Sequence, residues 1–166
     1  MKAIILWLRL LWVEVRLALS GVPVAGAFFD SRVSKFKIDD TGASLRDLSA
    51  YVSEMTGLPG PRPLDEVTAM GDSGSKFIPG NENVPFSISG HFEDTATSGP
   101  DAVLGPLRTH TAAVDFEYGP KGDTSGFVKY SGTCWVTNYE IRGQVGNTLT
   151  YTCALQVEGV VTRGTF

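Results

Sequence analysis

Gly71-Asp72-Ser73-Gly74 is the run that surrounds the nucleophilic serine of serine proteases. That chemistry needs a histidine base oriented by a carboxylate, and in proteases carrying this run both precede the serine. Here His91 and His110 are the only histidines, and both follow Ser73. Ser73 also stands too early in 166 residues for a two-barrel protease, so the run reads as a polar loop. Neither histidine has the two or three ligand-type neighbours that a zinc site requires. Cys134 and Cys153 fall on the apolar faces of two consecutive strands, which makes them candidate cross-strand neighbours and buried free thiols. Asp39, Asp40, Asp65, Glu66, Asp72, Glu93 and Asp94 sit at strand ends or turns, where solvated carboxylates are ordinary. There is no P-loop, no GxGxxG and no HExxH. The residues thus point to no catalytic, cofactor or metal site, and to a protein that is not an enzyme.

The chain that must position these residues is 42% hydrophobic and 19% charged, enough to bury one real core without staples. Disordered chains pair low hydrophobicity with high net charge and are excluded. Nineteen glycines and nine prolines suit a turn-rich β protein. A net charge of −4 argues against a protein that grips nucleic acid, though not against one that stands near DNA without holding it. Two cysteines cannot make a dense disulfide framework, and none of the four asparagines opens a glycosylation sequon.

Phe36 and Ile38 alternate with Lys35 and Lys37, which predicts a strand followed by a turn at Asp39-Asp40-Thr41-Gly42. Ser44 with Asp47 resembles a capping box, and Leu45, Leu48, Val52 and Met55 follow at helical spacing, predicting a helix that ends at Gly57 and Pro59. A loop follows at 60–63, then a short strand from Glu66 to Met70 and a Gly/Ser-rich connection from Gly71 to Gly80. Val84, Phe86, Ile88, Gly90 and Phe92 alternate with polar residues in the clearest half-buried strand. Asp101 to Arg108 reads as a short helix weakened by Gly105-Pro106. Strands then run over 114–118, from Phe127 to Arg142, and from Leu149 to Val157, the last two as a hairpin. Trp135 reads as a packing site. The pattern is that of a β-rich α+β domain with one dependable helix, at Leu45 to Met55.

Met1 to Ala27 stands apart. Lys2, an apolar run and Ala25-Gly26-Ala27 imitate a secretory signal, but Arg9, Glu14 and Arg16 interrupt it. The same charges oppose a membrane span, which needs about 20 mainly apolar residues, so no membrane anchor is expected. Lys2, Arg9 and Arg16 recur every seven residues, on one narrow stripe of a helix. Three readings stand: upstream sequence translated from a start set too early, a packing or interface helix, and a signal or anchor. The division expected is an uncertain segment over 1–28 and one domain over 29–166.

In order, the domain shows a strand ending in Ile38-Asp39-Asp40, then Leu64-Asp65-Glu66-Val67-Thr68-Ala69-Met70-Gly71-Asp72, then Lys76-Phe77-Ile78-Pro79-Gly80. Phe86-Ser87-Ile88-Ser89-Gly90-His91-Phe92-Glu93-Asp94 and Phe116-Glu117-Tyr118-Gly119-Pro120 follow. This succession resembles the tail tube (major tail) proteins of long-tailed bacteriophages and related gene transfer agents, over roughly Phe29 to Phe166. The resemblance implies two packed antiparallel sheets, a sandwich that contributes strands to a ring barrel, with one flanking helix. It also implies hexameric rings of this chain stacked into a hollow tube, with other tail proteins as partners and double-stranded DNA passing through without specific binding. The place implied is the virion tail, assembled in the host bacterial cytoplasm.

Within that frame, Gly57, Pro59, Pro61, Pro63, Gly71, Asp72, Phe77 and Gly80 mark loops long enough to reach neighbouring subunits. Glu93, Asp94, Asp115 and Glu117 lie on polar strand faces and are candidates to face a lumen that repels phosphate. Two other readings remain open: a β-sandwich ligand-binding module, secreted if the N-terminus is a true signal, and the inner-tube subunit of a contractile injection machine.

Overall fold

A computed structural model describes residues 29–166, and the expectations for Met1 to Ala27 lie outside them. A single 3-10 turn, Ser31–Val33, is capped by the Asp30 carboxylate and leads into β1 (Lys35–Asp39). β2 (Leu45–Asp47), β3 (Val52–Thr56), β4 (Leu64–Glu66), β5 (Phe77–Pro79) and β6 (Pro85–His91) follow. A helix, α1 (Pro100–Leu107), precedes β7 (Val114–Gly119), β8 (Val128–Arg142) and β9 (Thr150–Thr165). Seven strands make one antiparallel sheet in the order β2-β1-β7-β8-β9-β6-β3, and β4 pairs only with β5.

That sheet folds over on itself. β1 and β6 are four steps apart, which would separate them by about 19 Å in a flat sheet. Yet the rings of Phe36 on β1 and Phe86 on β6 lie 6.4 Å apart, and Phe86 meets Phe116 of β7 at 5.1 Å. The β2-β1-β7 side therefore packs against the β6-β3 side, while β8 and β9 carry the bend. The mainly β, antiparallel architecture expected from the sequence is present, with its two layers built from one continuous sheet. Ile38, Leu48, Ile88, Phe116, Tyr151 and Leu155 form the fully buried centre.

The expected helix from Leu45 to Met55 is absent. Its apolar spacing is met instead by two short strands and one turn. Leu48 is fully buried, Val52 and Met55 pack against the core, and Leu45 is exposed. Only one turn closes there, with Tyr51 and Val52 N–H both donating to the Leu48 carbonyl. Ser44 caps nothing; the Asp40 carboxylate accepts from its N–H and makes the turn between β1 and β2. Leu48 N–H bonds the Phe36 carbonyl and Tyr51 accepts from His91 N–H, so the segment is held by the two opposite edges of the sheet. Tertiary pairing thus overrides the local helical pattern.

The helix of the described residues is α1, close to the weaker expectation over 101–108. Pro100 occupies the first turn, where its missing N–H costs nothing, and Asp101 favours the N-terminal dipole. Val103, Leu104 and Leu107 are buried, and the Tyr139 hydroxyl donates to Asp101 at 3.1 Å. The strand expected from Glu66 to Met70 does not form beyond Glu66; the strand here is β4, Leu64–Glu66, and the Gly/Ser connection contains β5. Trp135 is no packing site: it faces outward, 36% exposed, and its indole N–H donates to Glu158 at 3.0 Å. Cys134 and Cys153 are free and buried, but they are not register partners; Cys134 lies opposite Val157 and Cys153 opposite Tyr139. Burial pushes both thiols up, Cys153 to about 12, so neither is a ready nucleophile.

Candidate assembly surfaces

β8 and β9 are the longest strands because each serves two sets of neighbours. β7 pairs with β8 only from Tyr130 to Cys134, and β6 pairs with β9 only from Thr150 to Gln156. One further bond, from Val157 N–H to the Val84 carbonyl, ends the β6 side. Among the described residues, the upper half of β8 (135–142) and the lower half of β9 (158–165) therefore each have one edge without a strand partner. These edges lie on opposite sides and at opposite ends of the hairpin. Half of their backbone donors and acceptors point away from the sheet, a ready template for another strand. The alternation in the sequence predicts strand only to Val157, whereas β9 continues to Thr165 through Val160, Val161 and Thr162, which favour strand.

The loop candidates fall on one projection, an arm over 57–83 that continues the β3–β6 hairpin beyond the sheet. Gly57 begins it at φ 103°, where a Cβ would lie 2.5 Å from the Pro85 carbonyl oxygen, so only glycine fits this crossing. Pro59 and Pro61 flank Gly60, which abuts Val84, and the Pro63 carbonyl accepts from Gly80 N–H at 3.0 Å. Gly71 and Asp72 lie near the tip. The Asp72 carboxylate accepts from Ala69 N–H and pairs with Lys76, which holds it below the usual carboxylate range. Phe77 is exposed, as are Leu64, Val67 and Ile78, and Met70 at the tip is 107% exposed.

The four acidic candidates do not form one face. Asp115 and Glu117 point outward from β7, alternating with buried Val114 and Phe116. Glu93 and Asp94 follow β6 at the other end of the sheet. The Thr95 hydroxyl and then the Tyr51 phenol hold the Glu93 carboxyl below its ordinary value. The companions of Asp115 and Glu117 are instead Asp39 and Glu158, which line the same open groove with Leu45, Ser131, Thr133 and Val160. Burial, then Asp115, Asp40 and Glu117, raises the Asp39 carboxyl. Lys129 answers Glu117 alone, at 2.8 Å. Asp39 is the third outward residue of β1 after Lys35 and Lys37, a position its alternation marks, whereas Glu158 lies just beyond Val157, where the clear alternation of β9 ends.

Ser73 lies on the arm, and no hydrogen bond joins it to His91 or His110 among the described residues. The His110 ring bonds the Ala112 carbonyl. No group of three His, Cys, Asp or Glu among the described residues could hold a metal, and no helix among them is long and apolar enough to cross a membrane. The arrangement offers edges, an apolar arm and an acidic groove, which are means of association and of repelling anions.

No protein-family model and no curated protein matches the chain. Solved structures do. The chain is similar to one in the tail of an empty gene transfer agent particle with C6 symmetry, at TM-score 0.63 and 15% identity, covering 83% of this chain and 100% of that one. It is similar to the SPP1 tail tube at TM-score 0.65 and 14% identity, covering 84% and 80%. A chain of the sheath–tube complex of an extracellular contractile injection system gives TM-score 0.62 and 9% identity, covering 86% and 95%. The fold is that of tail-tube subunits, shared almost without sequence identity.

Proposed function

We propose that this chain is a non-enzymatic structural subunit of a phage-type tail tube, stacking as rings into a hollow conduit for genome delivery. The two unpaired strand edges carry the reading. When a second copy is placed beside the first in the same orientation, its descending β9 runs antiparallel to the ascending β8. The upper edge of β8 can then pair with the lower edge of the neighbour's β9. The stagger between those edges is the kind that strand tilt accommodates in a closed barrel. Such a contact is heterologous, and it closes into a ring when the rotation divides a full turn. The six-fold symmetry of the gene transfer agent tail that shares this fold supports six copies.

Charge supports a DNA duct. Residues 29–166 carry a net −6, because residues 1–28 hold three cations and one carboxylate. A wall of that sign avoids the counterion release that would bind phosphate. We assign 29–166 as the tube domain, acting in a virion tail with other tail proteins and assembled in the host cytoplasm. Residues 1–28 we take to be dispensable. The match to a contractile sheath–tube complex favours a second reading, the inner tube of a contractile machine; co-purification with a sheath would distinguish it. Negative-stain microscopy and sedimentation velocity of the purified protein, with tail initiators present, test the main reading. Rings or tubes are expected, and a strictly monomeric species at high concentration would overturn it.

A further inference from the structure

We infer that Phe166, directly after β9, is a latch that holds the lower half of β9 in register as an assembly edge, an inference that rests on the tube reading. That half is the least secured part of the sheet. Between the Ser131–Thr162 and Thr133–Glu158 pairs the register slips, and Gly159 takes φ 79°. Such a bulge interrupts the ladder. Beyond it β9 keeps four register pairs with β8, from Ser131–Thr162 to Val128–Thr165, and among the described residues no pair with another strand. From 158 to 165 no side chain is buried; Val161 packs against the core, while Val160 is exposed. Two strands with so little cover are marginally stable in water and fray from their ends.

Phe166 closes that end. Its N–H donates to the Phe127 carbonyl at 3.0 Å, and its carbonyl accepts from Gly126 N–H at 3.0 Å. Its half-buried ring lies against Gly119, the last residue of β7, where an added Cβ would stand 2.7 Å from Cε2. Two ammonium groups lie over the ring, Lys129 of β8 at 5.3 Å from its centre and Lys37 of β1 at 5.7 Å. Each is fixed by a carboxylate, Lys129 by Glu117 and Lys37 by Asp123, both at 2.8 Å. A cation within about 6 Å of a ring face is attracted by the ring's quadrupole. One aromatic side chain thus gathers β1, β7, β8 and β9 at a single point. The turn it bonds is itself anchored, because Lys121 lies over the rings of both Phe29 and Phe127, at 4.5 and 4.3 Å.

What the latch secures is the free edge of β9 that, in the tube reading, pairs with β8 of the next copy in a ring. An edge that orders only on contact loses conformational entropy at association and binds more weakly; one held in advance does not. Phe166 is therefore a positioning residue, acting on assembly through the strand it holds.

The test compares full-length wild type, Phe166→Ala and Phe166→Tyr. In dilute protein, amide exchange over 160–165 should be about tenfold faster in Phe166→Ala, and at the wild-type rate in Phe166→Tyr, which keeps the ring face. Exchange over 151–157, the core half of β9, should not change. The protein concentration needed for rings or tubes should rise about fivefold or more in Phe166→Ala and return to the wild-type value in Phe166→Tyr. Unchanged exchange over 160–165, or a faster edge that assembles at the wild-type concentration, would overturn the latch. Faster exchange over 151–157 as well would mark a general loss of fold and overturn it too. Wild-type protein that forms neither rings nor tubes would overturn the tube reading and the assembly role with it, while the exchange comparison still decides whether Phe166 holds the strand.

Discussion

Gly90→Ala should loosen the seam where the folded sheet meets its own edge. Gly90 lies on β6 opposite Val52, beside a bulge in β3, and an added Cβ would stand 1.8 Å from the Tyr51 carbonyl oxygen and 2.8 Å from its carbon. Carbon–oxygen contacts settle at about 3.3 Å, so the obstructing backbone must retreat by roughly 1.5 Å. It is not a flexible side-chain end that could swing aside. The retreat breaks the 3.0 Å bond from His91 N–H to the Tyr51 carbonyl and lifts Val52 and Met55 from the core. Overpacking costs about 1–3 kcal/mol and a lost hydrogen bond about 1 more. A total near 3 kcal/mol lowers the melting temperature by roughly 10 °C for a domain of this size. Urea melts of Gly90→Ala and Gly164→Ala make the comparison. A Cβ on Gly164 meets nothing within 4 Å and its φ is unstrained, so that change should be neutral or stabilising by up to about 1 kcal/mol. A Gly90→Ala protein within about 1 kcal/mol of wild type would refute the account of the seam.

Asp115→Lys should leave folding within about 0.5 kcal/mol, because Asp115 is exposed and has no ion-pair partner among the described residues. Glu117→Lys should cost more, since it sets a cation where Lys129 now finds a carboxylate at 2.8 Å; paired thermal melts compare them. In assembled particles Asp115→Lys should slow DNA ejection, and a normal rate at low salt would show that this face is not luminal. Asp39→Asn should stabilise the protein at pH 7 by less than about 1 kcal/mol, as the site is largely solvated. A raised carboxyl binds its proton more tightly when folded, so ionising it costs stability above its folded value. The advantage of asparagine should fade as pH falls toward the ordinary carboxylate value of 3.8, and melts across that range check the sign. Intact-mass measurement of native particles should give a value roughly 3 kDa below 17.8 kDa if residues 1–28 are dispensable; the full 17.8 kDa would sink that view.

The legible parts of the sequence were those whose burial is complete within one subunit. β1, β6, β7 and the first half of β9 each have one face on the core, so Phe36/Ile38, Phe86/Ile88, Val114/Phe116 and Tyr151/Cys153/Leu155 alternate cleanly. The segment from Leu45 to Met55 misled because apolar residues three and four apart also arise when a chain crosses between two sheet edges. There Leu48 fills the gap and its neighbours turn around it. Asp115 and Glu117 were found on their strand, yet their companions Asp39 and Glu158 come from β1 and β9. Strand order, which no local pattern carries, brought those four together.

The arm was illegible for a different reason. Periodicity in a sequence records burial, and among the described residues neither face of β4–β5 is buried. Leu64 and Phe77 on one face, with Val67 and Ile78 on the other, produce no alternation, because each face carries both apolar and charged residues. Random polar loops do not put four large apolar residues on six paired strand positions and their flanks. A solvated hairpin would be expected to turn one face inward and leave the other polar. Apolar residues on both faces are what a strand pair needs when it is to be enclosed from two sides, and among the described residues nothing encloses it. The same holds for Ile141, Val145 and Leu149, which break the polar character of an otherwise ordinary hairpin turn. Where the pattern fails as a description of the subunit, it describes a surface that the proposed tube would finish with another copy.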